Sequence, residues 1–133
     1  MRFFQMDARK FTERLPGAPE QVRNARLIIA KLLGDAHPCI DEAVLLASET
    51  ATNAIRHTDS ALLGGGFALT VEHTDVWARV TVRDDGSSRT PCLCPSAPTV
   101  ESGRGIKMLD LLAFRWGFRR EKRCNEVWFE VGR

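Results

Sequence analysis

The amino-acid sequence predicts an α+β fold, a two-layer sandwich with helices on one face of a mixed, mostly antiparallel sheet. The first observation is that apolar residues alternate in paired runs separated by short turns, which is typical of β-hairpins. The second is that two longer segments carry apolar residues three and four positions apart, as amphipathic helices do. Because a helix with one apolar face must cover another surface, we expect the helices to pack on the sheet.

The composition is that of a globular protein with one core. The chain has 133 residues, 44% of them hydrophobic and 27% charged, so we expect a single domain over residues 1–133, with residues 1–10 as a flexible or edge segment. A net charge of +2 does not demand nucleic acid or an anionic membrane as a partner. With neither a membrane-spanning stretch nor a signal peptide in the sequence, we expect a cytoplasmic location, where cysteines such as Cys92 and Cys94 are free thiols.

The N-terminal half is predicted to form one strand and two helices. An edge strand is expected at residues 10–15. The first helix is predicted over residues 20–33, because Pro19 suits a helix start and Gly34 a helix end. The second helix is predicted from residue 40 or 41 to residue 56. Its apolar stripe consists of Ile40, Val44, Ala47, Ala51 and Ala54.

The C-terminal half is predicted to form two hairpins around a short helix. Its strands are expected at residues 67–71, 76–82, 114–119 and 127–131. Residues 87–102 make a long loop without periodicity, and such loops in small domains are often lids. The short helix follows Gly105, and its inward side chains are expected to be Ile106, Leu109 and Leu112. A charged turn at residues 120–125 completes the order β-α-α-β-β-loop-α-β-β.

Glu49 and Asn53 are the first candidate site residues. They lie four positions apart, so they share one face of the second predicted helix, away from its apolar stripe. An Asn carbonyl is a suitable ligand for Mg²⁺, and a carboxylate one turn away can accept a proton from an attacking hydroxyl. Taken by itself, this spacing is more often a solvated polar helix face.

Two glycine-containing motifs follow in the chain. Asp84-Asp85-Gly86 ends a predicted strand, where an Asp could accept a hydrogen bond from an adenine amino group and the glycine could let the base approach the backbone. Gly103-Arg104-Gly105 opens the short helix, whose free N–H groups, with the charge of Arg104, suit a phosphate. Each motif alone also fits an ordinary strand end or loop exit.

In this order and spacing, the motifs resemble the histidine-kinase-like ATPase domains of the gyrase, chaperone, histidine kinase and mismatch-repair (GHKL) superfamily. The similarity covers about residues 16–131, nearly the whole chain. Residues 49–57 (ETATNAIRH) match the N-box, residues 84–86 the first glycine box and residues 103–109 (GRGIKML) the second. Within this superfamily, the chain looks most like the bacterial anti-sigma-factor serine/threonine kinases.

The resemblance implies a Bergerat sandwich that binds ATP and Mg²⁺ between its helices and a lid. It implies that Glu49 is the general base, that Asn53 binds Mg²⁺ and that Asp84 recognises adenine. The further nucleotide-binding residues that it implies are Gly86 beside the adenine and Gly103 and Gly105 at the lid hinge and phosphate site. It also implies a sigma factor and an anti-anti-sigma protein as partners, the latter phosphorylated on Ser or Thr, and a homodimer without direct contacts to nucleic acid or membrane.

Two residues depart from the family pattern. Ser88 stands where the first glycine box usually has its second Gly, and Glu126 stands in a stretch near the adenine that usually has small polar residues. A carboxylate at the latter position would weaken nucleotide binding if it pointed inward. The alternative hypothesis is therefore a non-catalytic regulator that sequesters a partner with weak or no ATP binding, and a third is a plain ATPase.

Overall fold

The computed structural model describes residues 8–57, 65–86, 103–121 and 124–132, with backbone alone at His57 and residues 103–106. These described residues form eight elements in the predicted order. They are β1 (Arg9–Pro16), α1 (Glu20–Leu33), α2 (Ile40–His57), β2 (Gly66–His73), β3 (Trp77–Asp84), α3 (Gly103–Leu112), β4 (Arg115–Glu121) and β5 (Cys124–Gly132). The predicted α+β class is confirmed.

The five strands form one sheet in the order β1-β2-β3-β5-β4. Every neighbouring pair among these described strands is antiparallel, so the sheet is more uniform than the mixed sheet we expected. β1 and β4 are the edges, as predicted for the N-terminal strand. β3 lies in the centre, and its last residue therefore reaches the sheet rim between β2 and β5, where a site can be enclosed on both sides.

The hydrophobic core lies between the helices and one face of the sheet. Alternate residues of the central strands point toward the helices, and Phe67, Leu69 and Val80 are fully buried there. Ala47 and Ala51 of α2 are also fully buried, and such small side chains allow the helix to approach the sheet closely. Each large apolar side chain buried in this way contributes about 1.5–3 kcal/mol relative to an exposed one.

The three helices differ in how fully they are covered. α2 has 18 residues and packs against α1, α3 and three strands, which makes it the central helix of the layer. In α3, Leu109 is buried as predicted, but Leu112 is 37% exposed, so its predicted inward position is wrong. Leu112 is the last residue of α3, where the chain turns toward β4. Across the described ranges of the chain, the helices lack the combination of length and apolar character that crossing a membrane requires.

The opposite face of the sheet carries a polar and aromatic cluster. Glu130 receives hydrogen bonds from Arg79 (3.1 Å) and Arg115 (2.9 and 3.1 Å), and its side chain is only 4% exposed. Arg79 also lies 4.3 Å from the centroid of the Trp128 ring, a cation–π arrangement. Gly117 lies under that ring, where a Cβ atom would come within 2.6 Å of it. The glycine therefore lets the indole lie flat on the sheet.

The last hairpin is longer than predicted. Strands at residues 114–119 and 127–131 were expected with a charged turn at 120–125, but the ladder extends to the pair Glu121 and Cys124. Oppositely charged residues face each other within it, as when Arg119 contacts Glu126 at 3.5 Å. Such cross-strand pairs are compatible with a regular ladder, so a high density of charged residues did not distinguish a turn from a strand here.

Candidate functional site

Glu49 and Asn53 lie on α2 one turn apart, as the sequence predicts, and both are half-buried. The neighbouring hydroxyls turn back into the helix, since Thr50 donates to the carbonyl of Leu46 and Thr52 to that of Ser48. Among the described residues, the side chains of Glu49 and Asn53 form neither a hydrogen bond nor an ion pair. Both therefore keep their oxygen atoms available for a ligand.

Asp84 ends β3 on the helix-facing side of the sheet and is only 7% exposed. Its Oδ1 accepts hydrogen bonds from the main-chain N–H of Gly86 at 2.7 Å and of Asn125 at 3.2 Å. Gly86 has a φ of 69°, in the left-handed region that favours glycine. The glycine thus lets the chain curl back so that its N–H meets the carboxylate, which fixes Asp84 in the rim of the sheet.

Burial dominates the ionisation of Asp84. Desolvation of the carboxylate, assisted by the nearby negative charge of Asp85, raises the pKa of Asp84 from 3.8 to about 6. The hydrogen bonds from Gly86 and Asn125 act in the opposite direction, because they stabilise the charged form. Buried carboxylates with raised pKa values are frequent in functional sites, and one at a strand end is suited to accept a hydrogen bond from a ligand.

Asp85 has a different role from its neighbour. Its Oδ2 accepts a hydrogen bond from the main-chain N–H of Gly66 at 2.9 Å and another from Arg14 at 3.0 Å. The side chain therefore ties the end of β3 to the start of β2 and to β1. The two adjacent aspartates are divided between a structural link and a candidate ligand contact, and the sequence motif alone does not distinguish them.

The Gly103-Arg104-Gly105 motif opens α3, which begins at Gly103. The first N–H groups of a helix lack intrahelical partners and carry partial positive charge, so this end is compatible with the predicted phosphate site. α3 contacts α2, which carries Glu49 and Asn53. The side chain of Arg104, the loop at residues 87–102 and its residues Ser88, Cys92 and Cys94 lie outside the described residues.

Glu126 lies on the sheet face opposite to Asp84. It pairs with Arg83 across the β3–β5 ladder, and side chains alternate between faces along a strand, so it points away from the helices. Its carboxylate is 3.5 Å from Arg119 on the same outer face. The inward-pointing carboxylate considered from the sequence is therefore not present, and Glu126 does not oppose a nucleotide beside Asp84.

Asn125 is a site residue that was not predicted from the sequence, although it belongs to the stretch that was compared with the family pattern. Its main-chain N–H donates to the Asp84 Oδ1 at 3.2 Å, its side chain also lowers the pKa of Asp84, and Arg120 donates to the Asn125 Oδ1 at 3.1 Å. The polar residue at the start of the last strand was the available signal. The contacts of Asn125 could not be predicted from the sequence, because the turn predicted at residues 120–125 placed Arg120 and Asn125 outside the strand pair.

The donor set of the site fits ATP and Mg²⁺. The buried Asp84 offers an acceptor for an amino group, and Asn53 offers a neutral oxygen. Mg²⁺ bound to a nucleotide takes most of its ligands from phosphates and water, so it needs few from the protein. In the described portion of the chain, no group of three or more His, Cys, Asp or Glu side chains is arranged to hold a metal ion.

Comparison with known proteins identifies a protein family. A family model described as "Histidine kinase-like ATPase domain" matches residues 15–131. The matched range contains all the residues that were predicted for the site, together with Asn125. No curated protein shows detectable similarity to the chain.

Proposed function

The chain belongs to the histidine kinase-like ATPase domain family, and we propose that it is an ATP-binding regulatory kinase of the anti-sigma type. In this proposal the protein binds ATP with Mg²⁺ and transfers the γ-phosphoryl group to a serine or threonine of an anti-anti-sigma protein. It also sequesters a sigma factor, acts in the cytoplasm and forms a homodimer. The family match supports nucleotide binding and ATPase or kinase chemistry, and the anti-sigma role rests on the resemblance described above.

The observation that carries the proposal is the arrangement of three site residues on two elements that pack together, α2 and β3. Glu49 and Asn53 stand half-buried on one face of α2 without protein partners among the described residues, and α2 packs on β3, which ends at the buried Asp84. Among the described residues, Glu49 thus makes none of the hydrogen bonds or ion pairs by which a structural carboxylate links neighbouring elements. A catalytic role for Glu49 accounts for that position better than a purely structural one.

Each residue has a defined chemical task in this reaction. Asp84 would accept a hydrogen bond from the adenine amino group, and Asn53 would supply an oxygen ligand to Mg²⁺. Bound Mg²⁺ neutralises charge on the phosphate oxygens. Glu49 would accept the proton that the attacking hydroxyl loses as its oxygen bonds to the γ-phosphorus and ADP departs. Most of the catalysis is expected from positioning and charge stabilisation, which is the usual case in phosphoryl transfer.

Two other functions remain as competitors. A plain ATPase shares the family and the nucleotide site but uses water in place of a protein hydroxyl. The non-catalytic sequestering regulator was motivated by Ser88 and Glu126, and the outward direction of Glu126 removes one of these two reasons. The kinase is preferred to the sequestering regulator because both Glu49 and Asn53 are present and available.

The test is phosphate transfer with a matched pair of variants. Purified protein is incubated with γ-labelled ATP, Mg²⁺ and a panel of bacterial anti-anti-sigma proteins. Glu49→Gln should lower transfer by at least ~100-fold, as expected for loss of a general base, with little change in stability. Glu20→Gln, an exposed glutamate of α1, is the control and should transfer normally. Retained transfer in Glu49→Gln would reject the base, and ATP turnover without any labelled protein would favour the plain ATPase.

A further inference from the structure

A chain of three polar side chains links the last hairpin to the end of β3. Arg120 of β4 and Asn125 of β5 are opposite each other in the ladder, and Arg120 donates to the Asn125 Oδ1 at 3.1 Å. The main-chain N–H of Asn125 in turn donates to the Asp84 Oδ1 at 3.2 Å, and the Asn125 side chain acts on the same carboxylate by lowering the pKa of Asp84. All three residues lie on the helix-facing side of the sheet, since Arg83 and Glu126 pair on the other side.

We propose that Asn125, held by Arg120, is a positioning residue that keeps Asp84 oriented as a hydrogen-bond acceptor and so sets the preference for adenine over other bases. The inference rests on the proposed nucleotide site, because it assigns Asp84 to the adenine. It goes beyond that proposal by giving Asn125 and Arg120 a task. Neither residue touches the reacting phosphates in this account.

The orientation follows from the donor inventory of an amide. Arg120 occupies the Asn125 Oδ1 as a donor, which leaves the Nδ2 group, a donor only, to face Asp84. If the Asn125 amide were flipped, its oxygen would face the Asp84 carboxylate, which has no hydrogen to donate. Arg120 therefore selects the one amide orientation that stabilises a negatively charged Asp84.

Ionisation matters because the adenine amino group is a donor. A carboxylate accepts a hydrogen bond from this amino group, whereas a protonated carboxyl group has an O–H donor that competes with the amino group. Burial and the charge of Asp85 favour protonation of Asp84, and the hydrogen bonds from Asn125 oppose it. The elements around Asp84 carry further charged groups, among them Arg120 on the helix-facing side of β4 and Glu49 and Arg56 on α2, which packs on β3; Glu126 and Glu130 of β5 lie on the opposite face of the sheet. Of these, Arg120 is connected to Asp84 through the Asn125 amide.

The test compares wild type, Asn125→Ala and Asn24→Ala. Asn24 is an exposed asparagine of α1 whose side chain bonds only to Gln21 among the described residues, so it is the matched control. The ionisation of Asp84 is followed by NMR titration of its side-chain carboxyl carbon without nucleotide. Binding of ATP and of inosine triphosphate (ITP) is measured by calorimetry at pH 6 and pH 8. ITP has the same phosphates but a carbonyl where adenine has the amino group.

In Asn125→Ala we expect the Asp84 titration midpoint to rise by ~0.5–1 pH unit, as for loss of one hydrogen bond to a carboxylate. An upward shift of one unit lowers the ionised fraction at pH 6, and the ATP association constant with it, by about fivefold. The loss should be smaller at pH 8, and the ITP constant should change little at either pH. Arg120→Gln should shift the midpoint in the same direction, and Asn24→Ala should shift nothing.

Two results would overturn the role of Asn125. One is an unchanged Asp84 midpoint in a folded Asn125→Ala protein, which needs no nucleotide to be observed. The other is an equal loss of ATP and ITP affinity at both pH values, since that describes a general structural effect. Absence of ATP binding by the wild-type protein would instead contradict the proposed function, and the titration would still decide whether Asn125 controls Asp84.

Discussion

Asp84→Asn is expected to stabilise the unliganded protein above pH 7 while abolishing ATP binding. The pKa of Asp84 is raised in the fold, so between about pH 4 and pH 6 the folded protein holds a proton that the unfolded chain has released. Stability due to this group is therefore greatest at low pH and is lost as the pH rises through about 6. An uncharged asparagine of nearly the same shape does not carry this penalty.

The magnitude follows from the shift itself. A rise from 3.8 to about 6 corresponds to about 3 kcal/mol, at about 1.36 kcal/mol per pH unit. The amide of Asn carries two N–H donors where a protonated carboxyl group carries one O–H, and leaving the additional donor without a partner in this buried position offsets about 1–2 kcal/mol of that gain. We therefore expect a net increase in the free energy of unfolding of about 1–2 kcal/mol at pH 8.

Urea unfolding of both proteins from pH 4 to pH 8 measures this directly. The advantage of Asp84→Asn should grow between pH 4 and pH 7 and then level off, while calorimetry at pH 8 should show no ATP binding by the variant. A difference in stability that does not depend on pH, or a variant less stable than wild type at pH 8, would refute the argument that Asp84 is a desolvated carboxylate maintained for ligand recognition.

Three further predictions concern stability outside the site. Gly117→Ala should destabilise the fold by about 1–3 kcal/mol, because its Cβ would displace the Trp128 ring, and urea unfolding with tryptophan fluorescence checks both effects. Burial lowers the pKa of His73, so below about pH 6.5 the unfolded chain binds a proton at this residue more readily than the folded protein does. As the pH falls from 7 to 5, the wild-type protein should therefore lose stability relative to His73→Gln in the same urea assay. Glu130→Ala should cost about 1.5–3 kcal/mol, since it removes the charged hydrogen bonds to Arg79 and Arg115 but leaves both arginines access to water, and thermal unfolding against the exposed-site variant Glu13→Ala measures the loss.

The elements with strong periodicity were predictable from the sequence. The bounds predicted for the first helix, residues 20–33, agree with α1, and those for the second differ from α2 by one residue at each end at most. The alternating residues of β2 and β3 likewise correspond to an alternation of more buried and less buried positions in the structure. In these segments one apolar face is buried over its full length, so the period of the pattern and the bounds of the element coincide.

The elements dominated by charge were less predictable. In the last hairpin, cross-strand pairs such as Arg119 with Glu126 keep charged residues inside the ladder. A turn and an exposed strand with alternating charges have similar compositions, so sequence alone did not separate them. The face on which Glu126 lies depends on register, which only the paired structure supplies.

For the site, the sequence identified residue types and spacing but not the supporting contacts. The adjacency of Glu49 and Asn53 follows from helical geometry, and the structure agrees. The different tasks of Asp84 and Asp85 arise from contacts over long distances in the sequence: Asp85 bonds Gly66, 19 positions away, and Asp84 bonds Asn125, 41 positions away. The link from Arg120 to Asn125 arises from the pairing of two strands. Such contacts depend on strand order and register, and no local pattern encodes them.

The most direct test of the central claim is calorimetric titration of the purified protein with ATP in the presence and absence of Mg²⁺, alongside Asn53→Ala. The account predicts ATP binding by the wild-type protein that is strengthened by Mg²⁺, and a loss of that strengthening in Asn53→Ala. A folded wild-type protein that binds no ATP under either condition would contradict it.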